Sequence, residues 1–144
     1  MLKGHIAVAS FKLKKNSSGS IIDKKARKYL KQINLDYAHG TGHGVGFFLN
    51  VHEGPHAISK GNTVKFQEGM VVSNEPGYYE KNNFGIRIEN LTMAPIDKEL
   101  IDLKILNKSE KKWLNNYHKK VYDNLCKFMN KTELLELSKS CSAI

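Results

Sequence analysis

The stretch His39-Gly40-Thr41-Gly42-His43-Gly44-Val45-Gly46, running on to His52-Glu53-Gly54-Pro55, divides this chain into two kinds of pattern. Helical spacing precedes it, and strand alternation follows it until helical spacing returns near the C-terminus. It carries half of the six histidines, with glycines around the central one. Glycine admits positive φ and lets a ligand approach the main chain closely, so both uses are expected here.

Upstream, Asn16-Ser17-Ser18-Gly19 reads as a loop and Ser20 as an N-cap, with Asp23 in the first turn. Ile22, Ala26, Tyr29, Leu30 and Ile33 then recur at helical spacing, with lysines and Arg27 on the opposite side. Residues 2–11 are apolar enough for either a helix end or a buried strand.

Downstream, short strands or irregular backbone are expected from Val45 to Val51, with a turn at Gly54-Pro55. A strand is predicted over Met70–Ser73, interrupted by Glu75-Pro76-Gly77. A second runs from Phe84 to Met93 and places Arg87 and Glu89 on one face, Ile86 and Ile88 on the other. Ile101–Leu106 also alternates like a strand. Ser109 is predicted to cap a helix striped by Trp113, Tyr117, Val121, Leu125 and Phe128 or Met129, and a short helix runs from Thr132 to about Ser140. Helices over a mostly antiparallel sheet make this an α+β chain.

At 144 residues it has one domain's worth of length. No run approaches the roughly 20 apolar residues that span a bilayer. No signal peptide is visible, and Cys126 and Cys141 show no metal or disulfide spacing, so a reducing, cytoplasmic compartment is the default. The net charge of +9 raises nucleic-acid binding. However, the lysines (24, 25, 28 and 31, then 108, 111, 112, 119 and 120) are dispersed over predicted outer helix faces without a recognition motif, which reads as a solvated surface.

His39 and His43 are four apart, but glycines between them and the lack of a glutamate after His39 exclude a helical HExxH zinc site. The glycine spacing is also not that of a phosphate-binding loop. Glu75 in Asn74-Glu75-Pro76-Gly77-Tyr78-Tyr79 and Glu89 in Gly85-Ile86-Arg87-Ile88-Glu89-Asn90 supply carboxylates. With one imidazole they suit Mn, Fe, Co or Zn.

These blocks, in this order, resemble the catalytic domain of the aminopeptidase P (Xaa-Pro aminopeptidase) family, which has the pita-bread fold shared with methionine aminopeptidase and prolidase. Leu2-Lys3-Gly4-His5-Ile6, Leu35-Asp36-Tyr37-Ala38 and Asn115-Asn116-Tyr117-His118 also look like that family. The resemblance implies that residues 1–144 are a C-terminal portion of the pita-bread domain, a curved antiparallel sheet covered by helices. It implies a pair of divalent ions, most often manganese, held by His43, Glu75 and Glu89. Glu89 would bridge the ions and Glu75 would also take the proton of the attacking water. His52 would bind the scissile carbonyl and the developing oxyanion, and His39 would flank the pocket that admits proline. Arg87 and Tyr79 would stand beside the carboxylates or face the substrate. His5, His56 and His118 match no catalytic position and read as structural or surface groups, as does Glu53.

The implied activity is release of the N-terminal residue from peptides with proline in second position, and homodimers occur in the family. The family also uses a pair of aspartates upstream of the Leu-Lys-Gly-His stretch, where this chain begins. Asp23 and Asp36 do not match them, so this chain is expected to be a fragment that binds metal weakly and cleaves little. Two other readings stand beside this one: a prolidase-like Xaa-Pro dipeptidase, and a non-catalytic pita-bread protein that binds protein or nucleic acid.

Overall fold

A computed structural model describes residues 1–48, 50–89 and 95–144. The chain forms two compact units, Met1–Leu91 and Thr92–Ile144. In the first, helix α1 (Leu2–Ala9) packs against helix α2 (Gly19–Lys31). Strand β1 (Gly42–Val45) is central to an antiparallel sheet, with β2 (Ala57–Ile58) on one side and β3 (Val71–Val72) on the other. Strands β4 (Gly77–Tyr79) and β5 (Gly85–Arg87) form a separate antiparallel hairpin. The predicted α+β arrangement is the one observed. The apolar stretch at the start resolves as helix.

Apolar burial in this unit runs through Ile6, Ile22, Ala26, Leu30, Tyr37 and Ile58, and fully burying one such aliphatic side chain stabilises by about 1.5–3 kcal/mol. Small residues set the distances between layers. A Cβ at Gly4 would run into the Ala26 carbonyl on α2, and one at Gly19 into the Ala57 carbonyl on β2. Ser18, rather than Ser20, is the N-cap of α2. The helix ends at Lys31, so Ile33 lies past it and is exposed instead of completing the stripe. Asn34, with φ of 59°, takes the left-handed conformation that asparagine tolerates at helix ends, and the Leu35 N–H returns to the Leu30 carbonyl.

Arg27 departs most from expectation. It is not on a solvated face but 2% exposed, within a buried network described below. The lysines of α2 at 24, 25, 28 and 31 are exposed as expected.

The second unit contains α3 (Lys108–Leu125), a 3-10 turn (Cys126–Phe128) and α4 (Lys131–Ser140). The predicted strand at 101–106 is absent. The Lys104 N–H binds the Asp102 carboxylate and the Ile105 N–H the Asp102 carbonyl, which closes a turn. Alternation suits a pleated, paired strand, but among the described residues the second unit contains no strand to pair with this segment.

The α3 stripe is also offset from its predicted members. Leu114, His118 and Val121 are buried, while Trp113 and Tyr117 stack half-buried at 5.4 Å and Phe128 is exposed. His118 is wholly buried, and its Nε2 accepts the Ile96 N–H at 3.2 Å. Cys126 and Cys141 are free thiols.

Both helices open on capping boxes. Asn107 accepts the Glu110 N–H at 3.0 Å while Glu110 accepts the Asn107 N–H at 2.9 Å, and Asn130 and Glu133 repeat the exchange. Ser109, the predicted cap, instead donates its hydroxyl to Asn107 Oδ1 at 2.6 Å. Asn107→Ala is therefore expected to destabilise the chain by about 1 kcal/mol. Ser109→Ala should stay within about 0.5 kcal/mol of wild type. Urea denaturation of both variants checks this ordering.

Candidate metal centre

Strand β1 carries His43 with Gly42 and Gly44 on either side. Neither glycine has positive φ. Both lie against neighbouring chain: a Cβ at Gly42 would strike the Ser73 carbonyl, and one at Gly44 the Glu53 carbonyl and the His56 ring. Only glycine lets β1 lie this close to its neighbours.

That closeness brings His43 and Glu75 together. The His43 N–H donates to Ser73 Oγ at 2.9 Å, and the Ser73 hydroxyl donates to Glu75 Oε1 at 2.7 Å. The Glu75 N–H is held by the Thr41 carbonyl at 2.8 Å. Arg87, on β5, donates from Nη1 to Glu75 Oε2 at 3.1 Å. The two oxygens of a nearly buried carboxylate thus have separate duties. Oε1 faces Ser73 and His43 Nε2 (3.2 Å away), and Oε2 faces Arg87.

His43 Nδ1 lies 3.0 Å from the Gly44 carbonyl, which fixes it as the donor and leaves Nε2 as the lone-pair nitrogen. One donor atom each from His43, Glu75 and Glu89 lie within 4.8 Å of one another. An imidazole nitrogen presented by a carbonyl-held ring, with two carboxylates, is a set that fits a divalent ion of the Mn–Zn series.

His52, exposed on the loop between β1 and β2, places its ring 4.0 Å from that of His43. His39 Nε2 is 2.8 Å from the Tyr79 hydroxyl, which in turn accepts from Arg87 Nε at 2.9 Å. The bond to Tyr79 keeps the Arg87 guanidinium charged, raising its pKa. All seven predicted site residues therefore gather around β1 and the β4–β5 hairpin. Glu53 lies outside this set and accepts from Asn50 at 2.8 Å. The predicted strand from Phe84 is ordered as β5 only to Arg87, and its residues 90–93 fall outside those described.

Sequence reading missed Ser73, although its position two residues before Glu75 in an extended run puts both on one face. It also missed the role of His5, read as structural or surface. This histidine is wholly buried, its carbonyl accepts the Asn74 side-chain amide at 3.0 Å, and its ring meets the main chain at Ile88 and Asn74. Those are the residues immediately before Glu89 and Glu75.

Residues 1–94 match metallopeptidase family M24, and residues 86–144 match the C-terminal region of peptidase M24. This chain belongs to metallopeptidase family M24. It is 43% identical, over its whole length, to 27% of a probable Xaa-Pro aminopeptidase P from Laccaria bicolor, and 41% identical to 26% of aminopeptidase P1 from Arabidopsis thaliana. It thus spans about a quarter of the length of these curated relatives. The X-prolyl aminopeptidase of Caenorhabditis elegans, described as a cytosolic enzyme with a di-nuclear active site, superposes on 99% of this chain with a TM-score of 0.92 and 37% identity, over 28% of that enzyme. The prolidase of Pyrococcus furiosus superposes on 61% of this chain and 26% of its own, with a TM-score of 0.54 and 33% identity. The fold is that of the pita-bread peptidases. No helix among the described residues is long and apolar enough to cross a membrane.

Burial pushes the His5 imidazole down to about 4. In the unfolded chain it titrates near 6.5, so between these values the unfolded state binds a proton that the folded state refuses. Stability is fully present above about pH 6.5 and falls by on the order of 3 kcal/mol as the pH drops to about 4. Burial lowers His118 in the same sense. Asp36 acts further down. Burial raises its pKa, but bonds from Arg27, Lys60 and the Tyr37 N–H outweigh that and leave it at about 2. Denaturant titrations at pH 7, 5.5 and 4.5 should show the loss, and His5→Gln should flatten the slope across that window.

Proposed function

We propose that this chain supplies the C-terminal part of the active site of a metal-dependent Xaa-Pro aminopeptidase, which releases the N-terminal residue from peptides with proline in second position. The observation that carries the reading is the convergence of His43, Glu75 and Glu89 donor atoms within 4.8 Å in a member of this peptidase family. When bound, a pair of divalent ions would lower the pKa of water and polarise the scissile carbonyl. Manganese is the ion that the family resemblance favours.

In this reading Glu75 accepts the proton of the attacking water. Its Oε2 is neutralised by Arg87 while Oε1 stays on the donor cluster. His52, beside His43, donates a hydrogen bond to the oxygen on which negative charge develops. His39, held by Tyr79, lines the side where the proline ring would lie. Ser73 fixes the spacing between His43 and Glu75.

The upstream aspartates that the family uses have no counterpart here. Asp23 and Asp36, the aspartates preceding His39, are both ion-paired to Arg27. The reading therefore assigns the 144-residue chain weak metal binding and little hydrolysis. The prolidase reading shares the donor set, but the superposition over 99% of the chain favours the aminopeptidase.

The test is hydrolysis of a Xaa-Pro-Xaa tripeptide and a Xaa-Pro dipeptide with added Mn²⁺, with and without chelator. It is run on this chain and on a version extended upstream to carry the aspartates. The extended chain should cleave the tripeptide in preference, lose activity with chelator, and lose it in His43→Ala. Preference for the dipeptide would establish the prolidase reading. Chelator-sensitive cleavage by the 144-residue chain would overturn its assignment as an incomplete site. Metal affinity gives a separate check: Ser73→Ala in the extended chain should weaken Mn²⁺ binding by roughly tenfold or more, measured calorimetrically.

A further inference from the structure

Helix α2 contributes no residue to the donor cluster, yet a buried ion pair on it reaches both halves of the site. Arg27 is 2% exposed and Asp23 is fully buried. The guanidinium donates from Nε to Asp23 Oδ2 at 2.7 Å, and from Nη1 to Asp36 Oδ1 at 2.6 Å and the Tyr37 carbonyl at 2.7 Å. From Nη2 it donates to the His39 carbonyl at 2.6 Å. It also lies over the Tyr37 ring at 3.9 Å, and that ring is 4.9 Å from the His39 imidazole. The planar fork of arginine can serve these acceptors at once, whereas an ammonium cannot reproduce their directions.

Asp23 completes the other half. Its Oδ1 accepts the Thr41 hydroxyl at 2.6 Å, and the Thr41 carbonyl holds the Glu75 N–H at 2.8 Å. One helix-borne pair thus fixes the main chain of His39 through Arg27 and that of Glu75 through Thr41.

We propose that the Asp23–Arg27 pair is a positioning element that sets the His39 ring against Tyr79 and the Glu75 carboxylate against His43. The functional weight of this rests on the peptidase reading, but the placement itself does not. Arg27 touches no reacting atom and acts through the 36–41 segment. The His39 ring has Nδ1 2.6 Å from the Gly40 carbonyl, so it carries its proton there and accepts from Tyr79 at Nε2. Release of the His39 carbonyl frees the peptide that holds this arrangement.

The experiment is ¹⁵N-histidine NMR on the 144-residue chain without metal, which reports the tautomer of each ring. In Arg27→Lys, His39 should lose its single Nδ1–H signature while His5, His56 and His118 keep theirs. An unchanged His39 would overturn the proposal, and so would a uniform shift of all the rings, which would make Arg27 a holder of the fold only. If Arg27→Lys does not fold, Asp36→Asn decides instead. It removes one anchor of the guanidinium at a partly exposed position, and should move His39 in the same direction alone. No movement there would overturn the proposal. Because metal is absent throughout, failure of the peptidase reading shows separately, as an extended chain that folds but neither binds Mn²⁺ nor cleaves.

Discussion

A guanidinium withdrawn from water must satisfy its donors within the protein, and Arg27 does so by taking the main chain of the segment that leads into β1. Desolvation opposes its charge, but the bonds to Asp23 and Asp36 outweigh that and raise its pKa. Removing one member of such a pair strands the other and typically destabilises by about 3–5 kcal/mol, so the arrangement behaves as a unit. Everything downstream inherits its coordinates. Thr41 is fixed by Asp23, β1 follows from Thr41, and the pairing of β1 with β3 brings Ser73 and then Glu75 to His43.

The donor cluster has an opposite electrostatic character. Carboxylate oxygens within 4.8 Å of one another repel by at least roughly 1 kcal/mol in water and about 3 kcal/mol at an effective dielectric near 20. Arg87 relieves part of this at Glu75 Oε2, on the side away from His43, and so leaves the donor atoms facing one another. A divalent ion between them would turn the repulsion into attraction. That asymmetry is what a site for a cation requires: neutralisation at the back, accumulated negative charge at the front.

Metal chemistry narrowed the candidate donors to imidazoles and carboxylates, and the family resemblance then singled out His43, Glu75 and Glu89 among them. The supporting groups are chemically unremarkable. Ser73, Thr41 and Arg27 act through contacts that depend on which strands become neighbours, and local spacing carries little of that. Arg27 sits among lysines that are exposed, and its burial follows from reaching acceptors on the 36–41 loop that lie 9 to 12 residues further along the chain. The glycines of β1 were visible, but their reason was not, since close packing of backbone leaves the same signature as positive φ. In the second unit the 101–106 alternation failed for a related cause. Period two needs a partner, and Asp102 offered the backbone a turn instead. Ser109 lost the capping role to Asn107 because Glu110 stands three residues from Asn107, completing a box that Ser109 cannot make.

His5 shows how the fold and the site share a constraint. It lies on α1, far in sequence from the carboxylates, and is buried in neutral form against the residues that precede both of them. A protonated imidazole there would carry charge into a fully buried position, so the folded state keeps the ring neutral at the cost of refusing a proton. Arg87 approaches Glu75 from the β4–β5 side and pairs with Oε2, so that Oε1 faces Ser73 and His43. Burying a neutral histidine behind the cluster thus gives rigid support to the Glu75 and Glu89 segments without a positive charge that would compete with a metal ion for them.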